Sequence, residues 1–192
     1  MSRKQAGTVR IIGGRWRGRR LPVPDLPGLR PSGDRGRETL FNWLAPVIHG
    51  AHCADLFAGT GALGLEAASR GAATVVLVEK ARAAARALGE NVAALQASDP
   101  RGHIEVVHGD ALDWLAGCAP GSLDVVFLDP PFGSGLEAAA LGLLRGGGAL
   151  AEGGFVYLES ARQERSAEAV EGWETLRDKT LGEVRMRLLK KI

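Results

Sequence analysis

Cysteine is scarce in this chain of 192 residues, with only Cys53 and Cys118. Two cysteines so far apart make neither a disulfide framework nor a CxxC metal knuckle, and a reducing compartment is expected. Aromatic residues make up 5% of the chain and tyrosine occurs once. That shortage argues against an aromatic-rich β-sandwich. The 27 glycines, with abundant Ala, Leu and Val, suit close packing of helices on a sheet instead. No apolar run approaches the roughly 18 residues needed to span a bilayer. Met1 is followed by polar and basic residues, so no secretory signal is expected and the protein is placed in the cytoplasm. The four histidines, His49, His52, His103 and His108, lack a carboxylate partner at zinc-binding spacing, so no metal is expected. There is no repeat of fixed period and no Ser-His-Asp arrangement.

What is present describes one ordinary globular domain. The hydrophobic fraction is 45%, the charged fraction 24% and the mass 20.2 kDa. The net charge of +2 hides an asymmetry. The first 40 residues carry ten Lys/Arg against three acids, and the other 152 carry 14 bases against 19 acids. A basic arm on an acidic body suits a polyanionic partner engaged from one end. A solvated, arginine-rich tail explains the same counts, and composition does not choose between them.

From Ala51 onward, β-branched runs alternate with Ala/Leu-rich stretches, the pattern of a parallel α/β sheet. Strands are predicted at 52–57, 74–79, 104–107, 123–129 and 154–159. The runs VVLVE and VVFLD are apolar nearly throughout, as expected of strands covered on both faces. Helices are predicted at 62–70, closed by Gly71, at 81–97, from about Asp110, and at 135–145. In the second of these, Leu88, Val92 and Leu95 share one face. Val184, Met186 and Leu188 alternate with Arg185 and Arg187, which predicts a half-exposed C-terminal edge strand paired with 173–180 around Gly182-Glu183. Upstream, Asp34 is expected to cap a helix carrying Leu40, Phe41 and Leu44, ended or kinked by Pro46. The Gly/Pro-rich first 30 residues read as short β pieces and loop. Residues 1–30 are thus a basic extension packed on the same domain, and 31–192 are the catalytic domain.

Two segments carry chemistry. The first is DLFAGTGALG, Asp55–Gly64, where Gly59, Gly61 and Gly64 fit GxGxxG after a strand and before a helix. Glu79, 20 residues past Gly59, ends the next strand and can accept both hydroxyls of an adenosine ribose. Asp55 would repel a pyrophosphate but attract the ammonium of a methionine-like ligand. Asp110 ends the third strand, where it can serve an adenine amino group or simply cap a helix. Acids after three successive strands point to a cationic, adenosine-bearing ligand, and S-adenosyl-L-methionine has that character.

The second segment is Asp129-Pro130-Pro131-Phe132, directly after the fourth strand. The prolines fix the backbone and remove two N–H donors. The Asp129 carboxylate and Pro130 carbonyl remain as acceptors, and Phe132 offers a face to stack on a base. Two hydrogen bonds from an exocyclic amine would pull its nitrogen towards sp³. That frees the lone pair to attack a sulfonium methyl and stabilises the charge that develops. Methylation at a pyrimidine C5 would need a cysteine nucleophile; Cys53 lies in a predicted strand and Cys118 follows a helix, so neither fits.

In this order, DLFAGTGALG, VEK, GDA and DPPF resemble the Rossmann-like class I S-adenosylmethionine-dependent methyltransferases with a DPPY/DPPF motif. RIIGGRWRGRRLPVP (Arg10–Pro24), RPSGDRGRETLFNWL (Arg30–Leu44), YLES (Tyr157–Ser160) and GEVRMRLL (Gly182–Leu189) are similar to the bacterial 16S rRNA guanine-N2 methyltransferases of the RsmD family. Ser32-Gly33 and Gly36 depart from that family's usual pattern, leaving the role of Ser32 open. The resemblance implies a mostly parallel seven-stranded sheet with an antiparallel C-terminal edge strand and a basic N-terminal β extension. It implies a methyl transfer to guanine 966 of 16S rRNA in an assembled or assembling small subunit, by a monomer. The cofactor would be held by Asp55, Phe57, Gly59, Gly61, Glu79, Lys80, Asp110 and Ala111, and leave as S-adenosyl-L-homocysteine. Asp129, Pro130, Pro131 and Phe132 would grip a guanine flipped from its stack. RNA would meet Arg10, Arg15, Trp16, Arg17, Arg19, Arg20, Arg30, Arg35 and Arg37, although Trp16 could equally cap the core.

Three competing readings remain. An NAD(P)-dependent oxidoreductase explains GxGxxG and Glu79 but leaves Asp55, DPPF and the arginines idle. An amino-methyltransferase acting on another RNA or on adenine N6 of DNA also fits DPPF. A catalytically silent RNA-binding assembly factor would be favoured by loss of Asp129 or the glycines, and both are present.

Overall fold

The computed structural model describes residues 7–26, 33–163 and 172–192. Arg30 and Ser32 lie outside the described residues. The main sheet has seven strands: β3 (His52–Asp55), β4 (Thr74–Glu79), β5 (His103–His108), β6 (Leu123–Leu128), β7 (Leu150–Ala161), β8 (Trp173–Leu181) and β9 (Val184–Lys191). Their order is β5-β4-β3-β6-β7-β9-β8, with β3 to β7 parallel and the last pair antiparallel. The chain winds outward from β3 through β4 to β5, then returns to the other side of β3 as β6. That reversal opens a crevice at the C-terminal ends of β3 and β6, where open α/β sheets bind ligands. DLFAGTG follows β3 and DPPF follows β6, so topology brings together segments about 70 residues apart.

Alternation along the strands divides the interior into two layers. Val125 and Phe127 join one cluster with Tyr157, Met186 and Leu188, whereas Val126 and Leu128 join the other with Val156, Leu158 and Leu189. The first layer is covered by α1 (Asp34–Leu44), α2 (Ala62–Ser69) and α3 (Arg82–Ser98), the second by α4 (Ala111–Ala116) and α5 (Leu136–Gly146). Helix α2 is buried along its whole length, and Gly71 beyond it takes φ +100° as a helix terminator does.

Four features depart from the sequence reading. The antiparallel hairpin does sit at one edge, but β8 is outermost and the C-terminal β9 lies beneath it. Arg187 is only 2% exposed, not on a solvent face, because β9 is buried on both faces over Met186–Leu189. Strand β3 stops at Asp55 as the glycine turn begins, and β7 starts at Leu150, lengthened by a register shift opposite β6. Gly33, not Asp34, occupies the cap position of α1, and the Asp34 carboxylate instead binds Arg10 and Arg37.

The basic arm is an antiparallel pair, β1 (Gly7–Arg10) and β2 (Arg20–Val23). Val9, Ile11, Trp16, Leu21 and Val23 sink into the same cluster as Leu40, Phe41 and Leu44 of α1.

Candidate active site

The glycine turn after β3 is shaped from below by Asp55. This carboxylate is 1% exposed, and Oδ2 accepts the Gly64 amide at 3.0 Å. Oδ1 is buried and makes no hydrogen bond of good geometry. Burial pushes the carboxyl up to about 7, against the amides of Gly64 and Phe57, which favour its charged form. The expectation that Asp55 faces a ligand's ammonium is corrected accordingly: Asp55 lies beneath the turn and holds its shape. Two of the three glycines also serve packing. A Cβ on Gly64 would stand 2.2 Å from Leu77 Cδ2, and one on Gly61 (φ +78°) 2.5 Å from Leu88 Cδ2. Phe57 and Gly59 are the half-buried members of the turn, and Gly61 is buried.

Glu79 ends β4 beside this turn. Its Oε2 accepts the Gly59 amide at 2.9 Å and its Oε1 the Ala81 amide at 2.7 Å. A carboxylate has about four lone-pair positions, so two remain for ligand hydroxyls. Asp110, after β5, caps α4 through Oδ1 on the amides of Leu112 and Asp113, and Oδ2 meets Lys80 Nζ at 3.2 Å. The Lys80 hydrogen bond first, then the two amides, hold its carboxyl below the usual range. Capping uses one oxygen, so it does not preclude a ligand contact at the other. The Lys80 side chain is 81% exposed, and Ala111 is buried as the first residue of α4. The strand order puts the ends of β5, β4 and β3 side by side, so Asp110, Glu79 and the glycine turn form a row of acceptors and amides. That donor and acceptor set fits an adenosine-bearing cation.

Across the switch point, Pro130 is buried, Asp129 half-buried and Pro131 exposed. The Phe132 ring is 52% exposed; among the described residues, only Ile192 is another exposed large hydrophobic. An exposed ring at this place offers an aromatic face on which a base can stack. Near Asp129 stand two residues to which sequence reasoning gave no role. The Tyr157 hydroxyl donates to Glu159 Oε2 at 2.8 Å. Burial, Glu159 and the charge of Asp129 together raise the Tyr157 phenol well above its usual value. Glu159 is itself raised by burial, opposed by the Tyr157 hydrogen bond. The signal that could have found Glu159 is the one that marked Asp129, an acid at the C-terminal end of an apolar strand.

The arginines of the arm divide. Arg10, Arg17, Arg19, Arg20 and Arg35 are exposed. Trp16 is not available to stack on a nucleotide: it is 3% exposed and belongs to the core, because the turn between β1 and β2 folds back over α2. Arg15 lies half-buried over its ring at 4.2 Å, with its charged form disfavoured by burial. Arg37 is likewise withdrawn at 2% exposure, held by Asp34 and the Arg10 carbonyl at 2.8 Å each. Its placement beside Glu66, at 3.6 Å, explains why it is drawn inward. Cys53 is buried and its thiol is pushed up to about 12, so it stays protonated. Among the described residues no His/Cys/Asp/Glu cluster could hold a metal, and no helix is long and apolar enough to cross a membrane.

Known proteins are similar to this chain over nearly its whole length. The family model described as Conserved hypothetical protein 95 matches residues 9–190. The ribosomal RNA small subunit methyltransferase D of Escherichia coli (strain K12) is 48% identical over 186 residues, covering 97% of this chain and 91% of that protein. Its namesake in Haemophilus influenzae is 44% identical over 185 residues, covering 95% and 93%. The solved structure of yhhF from Escherichia coli superposes with a TM-score of 0.85 at 45% identity, covering 96% of this chain and 98% of that one. With the matched model spanning nearly the whole chain, the protein belongs to this family, the RsmD methyltransferases.

Proposed function

We propose that this protein transfers a methyl group from S-adenosyl-L-methionine to the exocyclic N2 of guanine 966 in 16S rRNA, within the small ribosomal subunit. The observation that carries the reading is the exposed Phe132 ring, three residues after Asp129 and just past the end of β6 at the switch point. A base flipped out of the RNA stacks on Phe132. Its amine donates to the Asp129 carboxylate and the Pro130 carbonyl, which localises the nitrogen lone pair and stabilises the charge it acquires. The cofactor supplies an electrophilic sulfonium methyl. Glu79 holds its ribose, Asp110 its adenine, and the amides of the turn braced by Asp55 its methionine end. The exposed Arg10, Arg17, Arg19, Arg20 and Arg35 engage phosphates.

Relatives named for the small-subunit RNA support the substrate class, and membership in a methyltransferase family leaves no place for the nicotinamide reading. The test is to incubate the protein and labelled cofactor with unmethylated small subunits and with naked 16S rRNA, then map the modified nucleotide. Label at the N2 of guanine 966 is expected; label at another atom or nucleotide, or no label, overturns the reading.

A further inference from the structure

Glu159 stands outside the roles assigned so far, yet the sheet places it at the reacting edge. In the parallel register of β6 and β7, Leu128 is opposite Leu158, so continuing one residue past the end of β6 brings Asp129 beside Glu159 of β7, in keeping with the effect of the Asp129 charge on Tyr157. Adjacent strands lie about 4.8 Å apart. Alternation puts both side chains on the face of Phe127 and Tyr157, whose rings are 6.5 Å apart. On the far side of Glu159, Met186 of β9 is its register partner. The Tyr157 hydroxyl fixes Oε2 at 2.8 Å, and Oε1 takes no hydrogen bond from the described residues. A second oriented acceptor therefore sits one strand away from Asp129. It is held by a tyrosine that is 1% exposed.

Two neighbouring acceptors match one nucleobase edge and mismatch another. Guanine presents N1–H and N2–H₂ side by side, all donors. Adenine presents its N6 amine beside N1, an acceptor, which a carboxylate would repel. Resting on the proposed amino-methylation, we infer that Glu159 is a specificity-determining residue that accepts guanine N1–H while Asp129 holds the reacting N2 amine. Tyr157 is then a positioning residue acting through Glu159. This division explains how a DPPF motif, which by itself serves either amine, is confined to guanine. A site built to hydrogen-bond a substrate N–H discriminates strongly against an analogue lacking it.

The test uses the full-length protein and small subunits reconstituted with guanine or 2-aminopurine at the target position. 2-Aminopurine keeps the exocyclic amine but has an acceptor at N1. Wild-type protein is expected to methylate guanine at least about tenfold faster than 2-aminopurine. Glu159→Gln is expected to lose most of that preference while binding S-adenosyl-L-homocysteine normally by calorimetry, and Glu159→Asp to retain part of it. A lost ratio with normal cofactor binding separates specificity from general damage. An unchanged ratio in an active Glu159→Gln protein overturns the inference. So does a wild-type ratio near one, whatever the folding of the variants. Wild-type protein that labels no guanine overturns the underlying methylation reading, a failure distinct from a labelled guanine with an unaltered ratio.

Discussion

The basic arm and the open edge of the sheet both concentrate charge, but they use it in opposite ways. In the arm, charge is partly spent inward. Glu66, fully buried on α2, accepts the amides of Ile12 and Gly13 at 2.8 Å each and Arg70 Nε at 2.7 Å. Ser69 adds a 2.6 Å bond to the Gly13 carbonyl and accepts the Trp16 amide at 3.0 Å. Gly14 admits the approach, since a Cβ there would stand 1.9 Å from the Ser69 carbonyl oxygen. At the sheet edge, by contrast, Glu79, Asp110 and Glu159 retain acceptor capacity toward the crevice. The lesson is that a charged residue's neighbours, not its position on a charge map, decide whether it supports the fold or faces a ligand.

Breaking the inward set is expected to have the largest effect. Glu66→Ala leaves the buried Arg37 without its buried counter-charge and two amides without an acceptor, at a cost of about 3–5 kcal/mol. Urea unfolding measures it. The matched substitution Glu90→Ala removes a surface pair whose side chains are 82% and 68% exposed, and should change stability by less than about 1 kcal/mol. Equal effects at the two sites would erase the contrast.

At the open edge, Asp129→Ala should lower methyl transfer by about 10²–10³-fold, the cost of removing one oriented partner of developing charge. Calorimetry with S-adenosyl-L-homocysteine should show binding close to wild type, because the residues proposed to hold the cofactor lie on the other side of the switch point. Unaltered turnover would refute the role of Asp129.

The smallest effect belongs to the exposed arginines. Replacing Arg17, Arg19 and Arg20 together by alanine should leave folding nearly intact and weaken binding to small subunits. It should also lower the slope of log affinity against log salt by up to about 3. Adding Arg37→Ala should instead cost stability, since that guanidinium is 2% exposed. An unchanged salt slope in the triple variant would mean that the exposed arginines do not meet phosphate.

Much of the fold was legible because its signals are local. Thr74–Glu79 is predicted and found with the same bounds, since VVLVE is apolar throughout and bounded by polar residues. The glycine turn, Glu79 and DPPF were readable because their spacing fixes strand, turn and helix in order. The departures share a different cause. Arg187 looks like part of a wet strand face until the fold buries it to 2% exposure, whereas Arg185 stays half-buried beside Asp178. Trp16 looks like an RNA ligand until the turn between β1 and β2 folds over α2, and Arg37 until Glu66 of α2 draws it inward. Glu159 looks like any strand-end acid until the β6–β7 register sets it beside Asp129.

By itself, then, the sequence determined the alternation of strand and helix, the glycine turn, the DPPF turn after β6 and the charge asymmetry, because each rests on residues close together in the chain. Only the tertiary structure decided which arginines face water, that Asp55 braces the turn from beneath, and that a second carboxylate stands next to Asp129. Burial and cross-strand neighbours arise from contacts between distant segments. Strand order and register fix those contacts, and no local spacing encodes them.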